Sequence, residues 1–194
     1  LEDFSSAYGI RYAILRYFNA AGADPEVRIG EAHDPETHLI PLVLRAVLGK
    51  GPPVNIFGTD YDTPDGTCVR DYIHVCDLAN AHILALQQIL SGQQSVTYSL
   101  GNGTGTSVRE IITATEEVTG RPVPVVFGPR RDGDPPVLIA DPQRTMRDLG
   151  WKILWTKIQD IIDTAWRWEQ VRQSSGWPNA RGGVNSPVKN ISEK

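Results

Sequence analysis

Residues 69 to 78 read Val69-Arg70-Asp71-Tyr72-Ile73-His74-Val75-Cys76-Asp77-Leu78, and Arg70 is the side chain in this run best suited to hold an anion. On the two-residue period of a strand, Arg70 shares a face with Tyr72 and His74, while Val69, Asp71, Ile73 and Val75 take the other. A guanidinium held on a rigid strand donates two parallel hydrogen bonds to one phosphate. The same residues also allow a plain surface pair between Arg70 and Asp71, which carries little energy. Asp77 falls where a helix N-cap belongs, its carboxylate accepting a free backbone N–H from the helix that follows. A second pair of cations, Arg130 and Arg131, lies in the rigid run from Pro129 to Pro136. Such a loop, taken alone, is an ordinary solvated turn.

Three other clusters invite chemistry and read better as structure. Gly101-Asn102-Gly103-Thr104-Gly105 follows a β-rich run, as a dinucleotide loop would, but its third glycine falls one position early and no acid follows at the required distance. Ser107 and Glu110 instead have the spacing of a capping box, which makes the segment a turn into a helix. The acids between Gly58 and Gly66 suggest calcium, yet their spacing lacks the EF-hand pattern. Cys68 and Cys76 lie on or beside one strand and read as two buried thiols, and the four histidines are scattered. No metal site is expected.

The elements that must position these groups alternate in type. Tyr12 to Phe18 is β-rich and ends in the turn-forming run Asn19 to Pro25. Apolar residues at helical spacing from Leu39 to Leu48 stop at Gly49 and Gly51-Pro52-Pro53, and a short strand, Val54 to Phe57, follows. Further strands are expected at Val96 to Leu100 and Val123 to Phe127. Helices are expected after Asp77 (with Leu78, Ala81, Ala85, Leu86 and Ile89 on one stripe), after Ser107, at Gln143 to Leu149 and at Lys157 to Arg172. Trp166 and Trp168 read as core. Alternating strands and helices predict an α/β fold, in which ligands gather at the carboxyl ends of strands. Arg16-Tyr17-Phe18-Asn19 lies at such an end.

At 194 residues and 40% hydrophobic content, the chain is long enough for one domain, or one with a small lobe. A net charge of −4, with both signs interspersed, gives no footprint for nucleic acid. No stretch approaches the ~20 apolar residues of a membrane span, and Leu1-Glu2-Asp3 lacks the basic start of a signal peptide, so a cytoplasmic protein is expected. The sole methionine is Met146, and Leu1, Phe4 and Tyr8 form a helical stripe closed by Gly9. The chain therefore reads as a fragment or processed product opening inside a helix. Residues 1–173 are expected to be ordered and 174–194 to form a disordered tail.

Arg16-Tyr17-Phe18-Asn19, His38-Leu39-Ile40-Pro41, Asn55-Ile56-Phe57-Gly58, Asp65-Gly66-Thr67, the Arg70 strand and Arg130-Arg131-Asp132-Gly133-Asp134 occur in one order. Together they resemble the UDP-glucose 4-epimerases of the NAD-dependent epimerase/dehydratase family, from the first helix to about Trp177-Pro178. The resemblance implies the C-terminal part of a Rossmann-like NAD(P)-binding fold plus a smaller mixed α/β substrate-binding lobe. It implies that Phe18 contacts the nicotinamide side of NAD and that Asn19 contacts the nucleotide sugar. His38 and Leu39 line the substrate site, and Asn55, Ile56 and Phe57 lie against uracil. Arg70 and Arg131 hold the diphosphate, Asp134 accepts from the ribose, and Leu138 bounds the hexose pocket. The family's mechanism implies hydride removal from C4 by NAD, with a Tyr activated by a nearby Lys taking the hydroxyl proton. No tyrosine here has Lys four positions on. The catalytic pair and the glycine-rich NAD loop are thus expected upstream of Leu1, and these residues are expected to be inactive alone. A UDP-sugar substrate and a homodimer are implied for the complete enzyme. A UDP-sugar binding module, or a piece of another nucleotide-sugar epimerase or dehydratase, is the alternative.

Overall fold

The computed structural model describes residues 1–174. The tail expected from 174 onward lies, apart from Ser174, outside the described residues. After helix α1 (Glu2–Tyr8), the strands pair mostly in parallel. β1 (Ala13–Arg16) lies beside β6 (Val96–Ser99), β2 (Asn19–Ala21) beside β5 (Tyr72–His74), and β3 (Val54–Phe57) beside β8 (Val125–Gly128). β4 (Val69–Arg70) runs between β7 (Thr106–Ser107), antiparallel, and β9 (Val137–Leu138), parallel. Parallel neighbours need long crossovers. These include helices α2 (Leu39–Val47), α3 (Val75–Leu90) and α4 (Val108–Thr119); α5 (Gln143–Leu149) and α6 (Ile158–Ser174) follow β9. The expected α/β architecture is what forms. Among the described residues no helix is long and apolar enough to cross a membrane.

Two apolar clusters flank the β2–β5 pair. Tyr72 packs with Val43 and Leu44 of α2, Ile111 of α4 and Ile161 and Ile162 of α6. Its neighbour Ile73 packs on the opposite side with Leu78, Tyr98, Leu100 and Trp151. The two-residue alternation expected for this strand thus sends successive side chains into different cores. Trp166 and Trp168 are buried, as expected, whereas Leu86 stands exposed on α3. The capping box at the start of α4 is present, with Ser107 accepting from the Glu110 N–H and Glu110 accepting from the Ser107 N–H.

Residues 69 to 75 do not form one strand. Asp71 separates β4 from β5, because its buried carboxylate turns inward to accept the backbone N–H groups of Asn102 (2.8 Å), Gly103 (3.1 Å) and Ala140 (3.1 Å). A Cβ on Gly101 would collide with that carboxylate. Gly101 therefore serves close packing around this internal carboxylate, while a Cβ on Gly105 would collide with Val69 and Ile139. Asp77 also differs from expectation. α3 begins three residues earlier and is capped by His74, whose Nδ1 accepts the Cys76 N–H at 3.1 Å. Asp77 is instead buried in the first turn. Its carboxylate accepts the N–H groups of Leu154 (3.1 Å) and Trp155 (3.0 Å), and its carbonyl accepts the Trp151 indole N–H at 3.0 Å. Burial raises this carboxyl above the usual carboxylate range, against the opposing pull of the two N–H donors. The β-rich run from Tyr12 ends as β1 at Arg16, and β2 forms at Asn19–Ala21, where a turn was expected; the rings of Tyr17 and Phe18 between them are exposed.

Candidate nucleotide-sugar site

Beside the carboxyl end of β4 lies a cavity of about 460 Å³, within the range of small-ligand pockets. One wall is β3, which the Gly51-Pro52-Pro53 stop delivers immediately after α2. Val54 and Ile56 turn into the core while Asn55 and Phe57 are more open, as alternation along a strand requires. The start of α2 supplies His38 and Leu39, and β2 supplies Asn19. The carboxamide N–H of Asn19 donates to the Asp71 carbonyl at 3.0 Å, fixing that side chain against the Arg70 strand. The cavity therefore brings together Asn19, His38, Leu39, Asn55, Ile56, Phe57, Arg70, Arg131 and Asp134. Phe18 and Leu138 are not in its wall. Phe18 sits in the gap between β1 and β2, and Leu138 lies alongside Arg70 in the β4–β9 pairing.

The cavity's polar groups carry both signs. Arg70 is largely buried, donates Nη1–H to the Val69 carbonyl at 2.8 Å, and forms an ion pair with Asp134 through Nη2. The Arg131 guanidinium lies over the Phe57 ring, 3.8 Å from its centroid, a cation–π contact that places charge at the rim without consuming its hydrogen-bond donors. Among the described residues Arg131 has no carboxylate within ion-pair reach. Its neighbour Arg130 serves structure instead. It pairs with Asp60 through Nε at 2.8 Å and covers the Tyr61 ring at 4.3 Å. The two adjacent arginines of the Pro129–Pro136 run are thus sorted, one closing the Asp60–Gly66 loop and one facing the cavity.

That loop is tied down from within. Asp65 accepts the Thr67 N–H (2.8 Å) and hydroxyl (2.7 Å) and the Ser107 hydroxyl. Burial pushes its carboxyl up, but the hydrogen bonds from Ser107 and Thr67 outweigh burial and hold it below the usual range. Its oxygens are engaged by these donors, so the loop acts as a brace for β4. Residues of the wall that sequence reasoning passed over include Thr67, Cys68, Leu42, Pro52 and Pro53. Only the last two had a signal, as a helix stop before a strand.

Chemically, the cavity binds more readily than it reacts. Two guanidinium groups with a carboxylate and carboxamides nearby suit an anionic group carrying a hydroxyl-rich appendage. Burial raises the phenols of Tyr72 and Tyr61 above their ordinary range, which keeps both protonated at neutral pH. Neither is poised to remove a proton. In the glycine-rich loop the N–H groups of Asn102 and Gly103 are committed to Asp71.

Known proteins resemble this chain in sequence and in fold. The chain is 52% identical over 164 residues to the UDP-glucose 4-epimerase of Halalkalibacterium halodurans, covering 84% of this chain and 49% of that protein. A crystal structure of a UDP-glucose 4-epimerase superposes with a TM-score of 0.87 at 50% identity, covering 91% of this chain and 54% of the other. The Bifidobacterium longum UDP-glucose 4-epimerase, solved with NAD+ and UDP, gives a TM-score of 0.80 at 36% identity over 89% of this chain and 51% of the other. The chain spans about half the length of the curated relatives it matches. The family model for the NAD dependent epimerase/dehydratase family matches residues 1–101, more than half of the 194 residues, and the chain belongs to that family.

Proposed function

We propose that this chain is the nucleotide-sugar-binding portion of a UDP-glucose 4-epimerase, with the substrate diphosphate held between Arg70 and Arg131. The observation that carries this reading is the convergence of both guanidinium groups on one cavity, with β3 as a flat wall beside them. Arg70 stands on a strand and Arg131 on a braced loop, so the two charges are set before a ligand arrives. Asp134 now neutralises Arg70. A diphosphate entering the cavity takes over that cation and leaves the carboxylate to accept from a ribose hydroxyl. Asn19 and Leu39 lie on the side where the sugar would extend, and Leu138, beside Arg70, would bound it.

The residues here fit NAD in part. Phe18 offers an exposed ring at a strand end, while in the glycine-rich loop the N–H groups of Asn102 and Gly103 are taken by Asp71. NAD, when bound, supplies reversible hydride acceptance from the sugar; this chain's residues bind and orient the nucleotide that carries the sugar. The complete enzyme would interconvert UDP-glucose and UDP-galactose. Because no Tyr-x-x-x-Lys pair occurs in the 194 residues, they are expected not to turn over alone. Exposure of Leu1, Phe4 and Tyr8 on α1 supports a surface that is covered in a larger, dimeric assembly.

Calorimetric titration of the purified chain with UDP tests the binding role. Arg131→Ala is expected to weaken binding by about tenfold or more, in keeping with the loss of a charge-assisted phosphate contact, while Arg130→Ala changes it little. Equal affinity in Arg131→Ala and the parent would remove the basis of the assignment.

A further inference from the structure

Residues 22–38 join β2 to α2 without regular secondary structure, yet they are firmly held. A Cβ on Gly30 would collide with the Trp168 indole. That indole donates its N–H to the Glu31 carbonyl at 2.8 Å, and Arg167 donates to the Pro25 carbonyl at 3.0 Å. At the other end, the Glu36 side chain is only 1% exposed. Its Oε1 accepts the N–H groups of Thr37 (2.8 Å) and His38 (2.9 Å), and its Oε2 pairs with Arg45 of α2 at 3.3 Å. Anchored in this way on α2 and α6, the segment turns four ligating side chains toward one point. One donor atom from each of Glu31, His33, Glu36 and His38 lies within 4.8 Å of the others. His38 Nδ1 is 2.6 Å from Glu31 Oε1 and 3.2 Å from Glu36 Oε1, and His33 Nδ1 is 4.0 Å from Glu36 Oε1.

A tetrahedral Zn²⁺ with bonds of about 2.0–2.1 Å spaces its donor atoms about 3.3 Å apart, and the separations here straddle that value. Two imidazoles with two carboxylates suit a borderline transition metal, whereas Mg²⁺ favours an octahedral shell of oxygens and water. The hydrogen bonds that fix the Glu36 carboxylate and the Glu31 backbone are the outer contacts that orient ligands in metal sites. We propose that Glu31, His33, Glu36 and His38 form a site for one divalent transition-metal cation, with Zn²⁺ the best match to the ligands. This replaces the expectation of no metal site, which rested on the linear scatter of the histidines. On binding, the cation takes the place of the hydrogen bond between His38 Nδ1 and Glu31 Oε1. His38 also lines the nucleotide cavity, which sets the cation at the rim of that cavity.

The test uses the full 194-residue chain, stripped with EDTA and titrated with ZnCl₂ against a competing fluorescent chelator. One equivalent is expected to bind, and His33→Ala and Glu31→Gln are each expected to weaken it by about tenfold or more, the scale on which even outer contacts act in metal sites. His33 is exposed and Glu31→Gln keeps the side chain's shape, so circular dichroism of both variants should match the parent. His82→Ala, on α3, should keep the parent affinity. Failure to bind one equivalent overturns the proposal, as does parent-like affinity in His33→Ala. An equal loss in His82→Ala, or displacement of Zn²⁺ by equimolar Mg²⁺, would reveal adventitious binding and sink it as well.

Discussion

His74 is fully buried, and each ring nitrogen has a defined partner. Its Nδ1 accepts the Cys76 N–H at 3.1 Å, so the ring proton resides on Nε2 and is donated to the Thr164 hydroxyl at 3.0 Å. That hydroxyl donates to the Ile161 carbonyl at 2.8 Å and accepts the Ala23 N–H at 3.1 Å, so its own capacity is filled. The ring also stacks on Trp155 with centroids 4.1 Å apart. A second proton would have to enter at Nδ1, facing another N–H and breaking the cap of α3. Burial accordingly lowers the His74 pKa from 6.5 to about 4. The unfolded chain takes up this proton near the ordinary value and the native state does not. The stability tied to His74 is therefore complete above about pH 6.5 and is lost as pH falls toward 4. The interval is worth roughly 3 kcal/mol in full and about 2 kcal/mol by pH 5. Urea unfolding followed by tryptophan fluorescence at about pH 8 and pH 5 measures it, with His74→Asn as the reference, since Asn retains a cap acceptor and does not titrate. Asp77, whose raised carboxyl pulls the other way as pH falls, is present in both proteins and cancels in the difference. The parent should lose about 2 kcal/mol more than the variant. Equal losses in the two proteins would refute the assignment of a neutral, capping His74.

Other perturbations test the supports of the site. Gly66 has φ +79°, and a Cβ there would collide with the Thr59 carbonyl, so Gly66→Ala should cost about 2 kcal/mol or more in a thermal melt. Ser107→Ala removes the α4 cap and a donor to Asp65. It should cost about 1–2 kcal/mol by urea unfolding, with its acid sensitivity reduced, because Asp65 loses a bond that lowers its pKa and less of the remaining stability depends on its ionisation. Arg70→Lys keeps the charge but loses the fork. It should weaken UDP binding by about tenfold in calorimetry while changing stability by less than about 1 kcal/mol.

Much of the fold was legible wherever a local period met a local stop signal. Val54 to Phe57 formed as expected because Pro52-Pro53 and Gly58 bound it, and the Ser107–Glu110 box announces α4 three residues apart. The positions that resisted sequence reading depend on partners far along the chain. Nothing near Asp71 shows that its carboxylate answers to residues 102, 103 and 140, or that Asp77 binds the backbone of residues 154 and 155. The two-residue strands β4, β7 and β9 are too short for a period to register. Arg70 and Arg131 could be paired only by resemblance, since 61 positions of sequence separate groups that meet at one cavity. The Glu31–His38 cluster arises in a segment without periodicity, where only the docking onto Trp168 and Arg45 decides which side chains converge.

The position of Asp71 also constrains how this chain can change over evolutionary time. One carboxylate holds backbone N–H groups from two separate loops. Every residue except proline carries such a group, so the identity of Ala140 is free to drift while the length of its loop is not. An insertion near residues 101–103 or 138–140 would carry a donor away from the carboxylate and strand a buried charge. Length variation among relatives should therefore collect outside these two loops, and a replacement of Asp71 should survive only with compensating change in both. The register of the Arg70 strand is in this way inherited through loop length, more than through the residues that fill the loops.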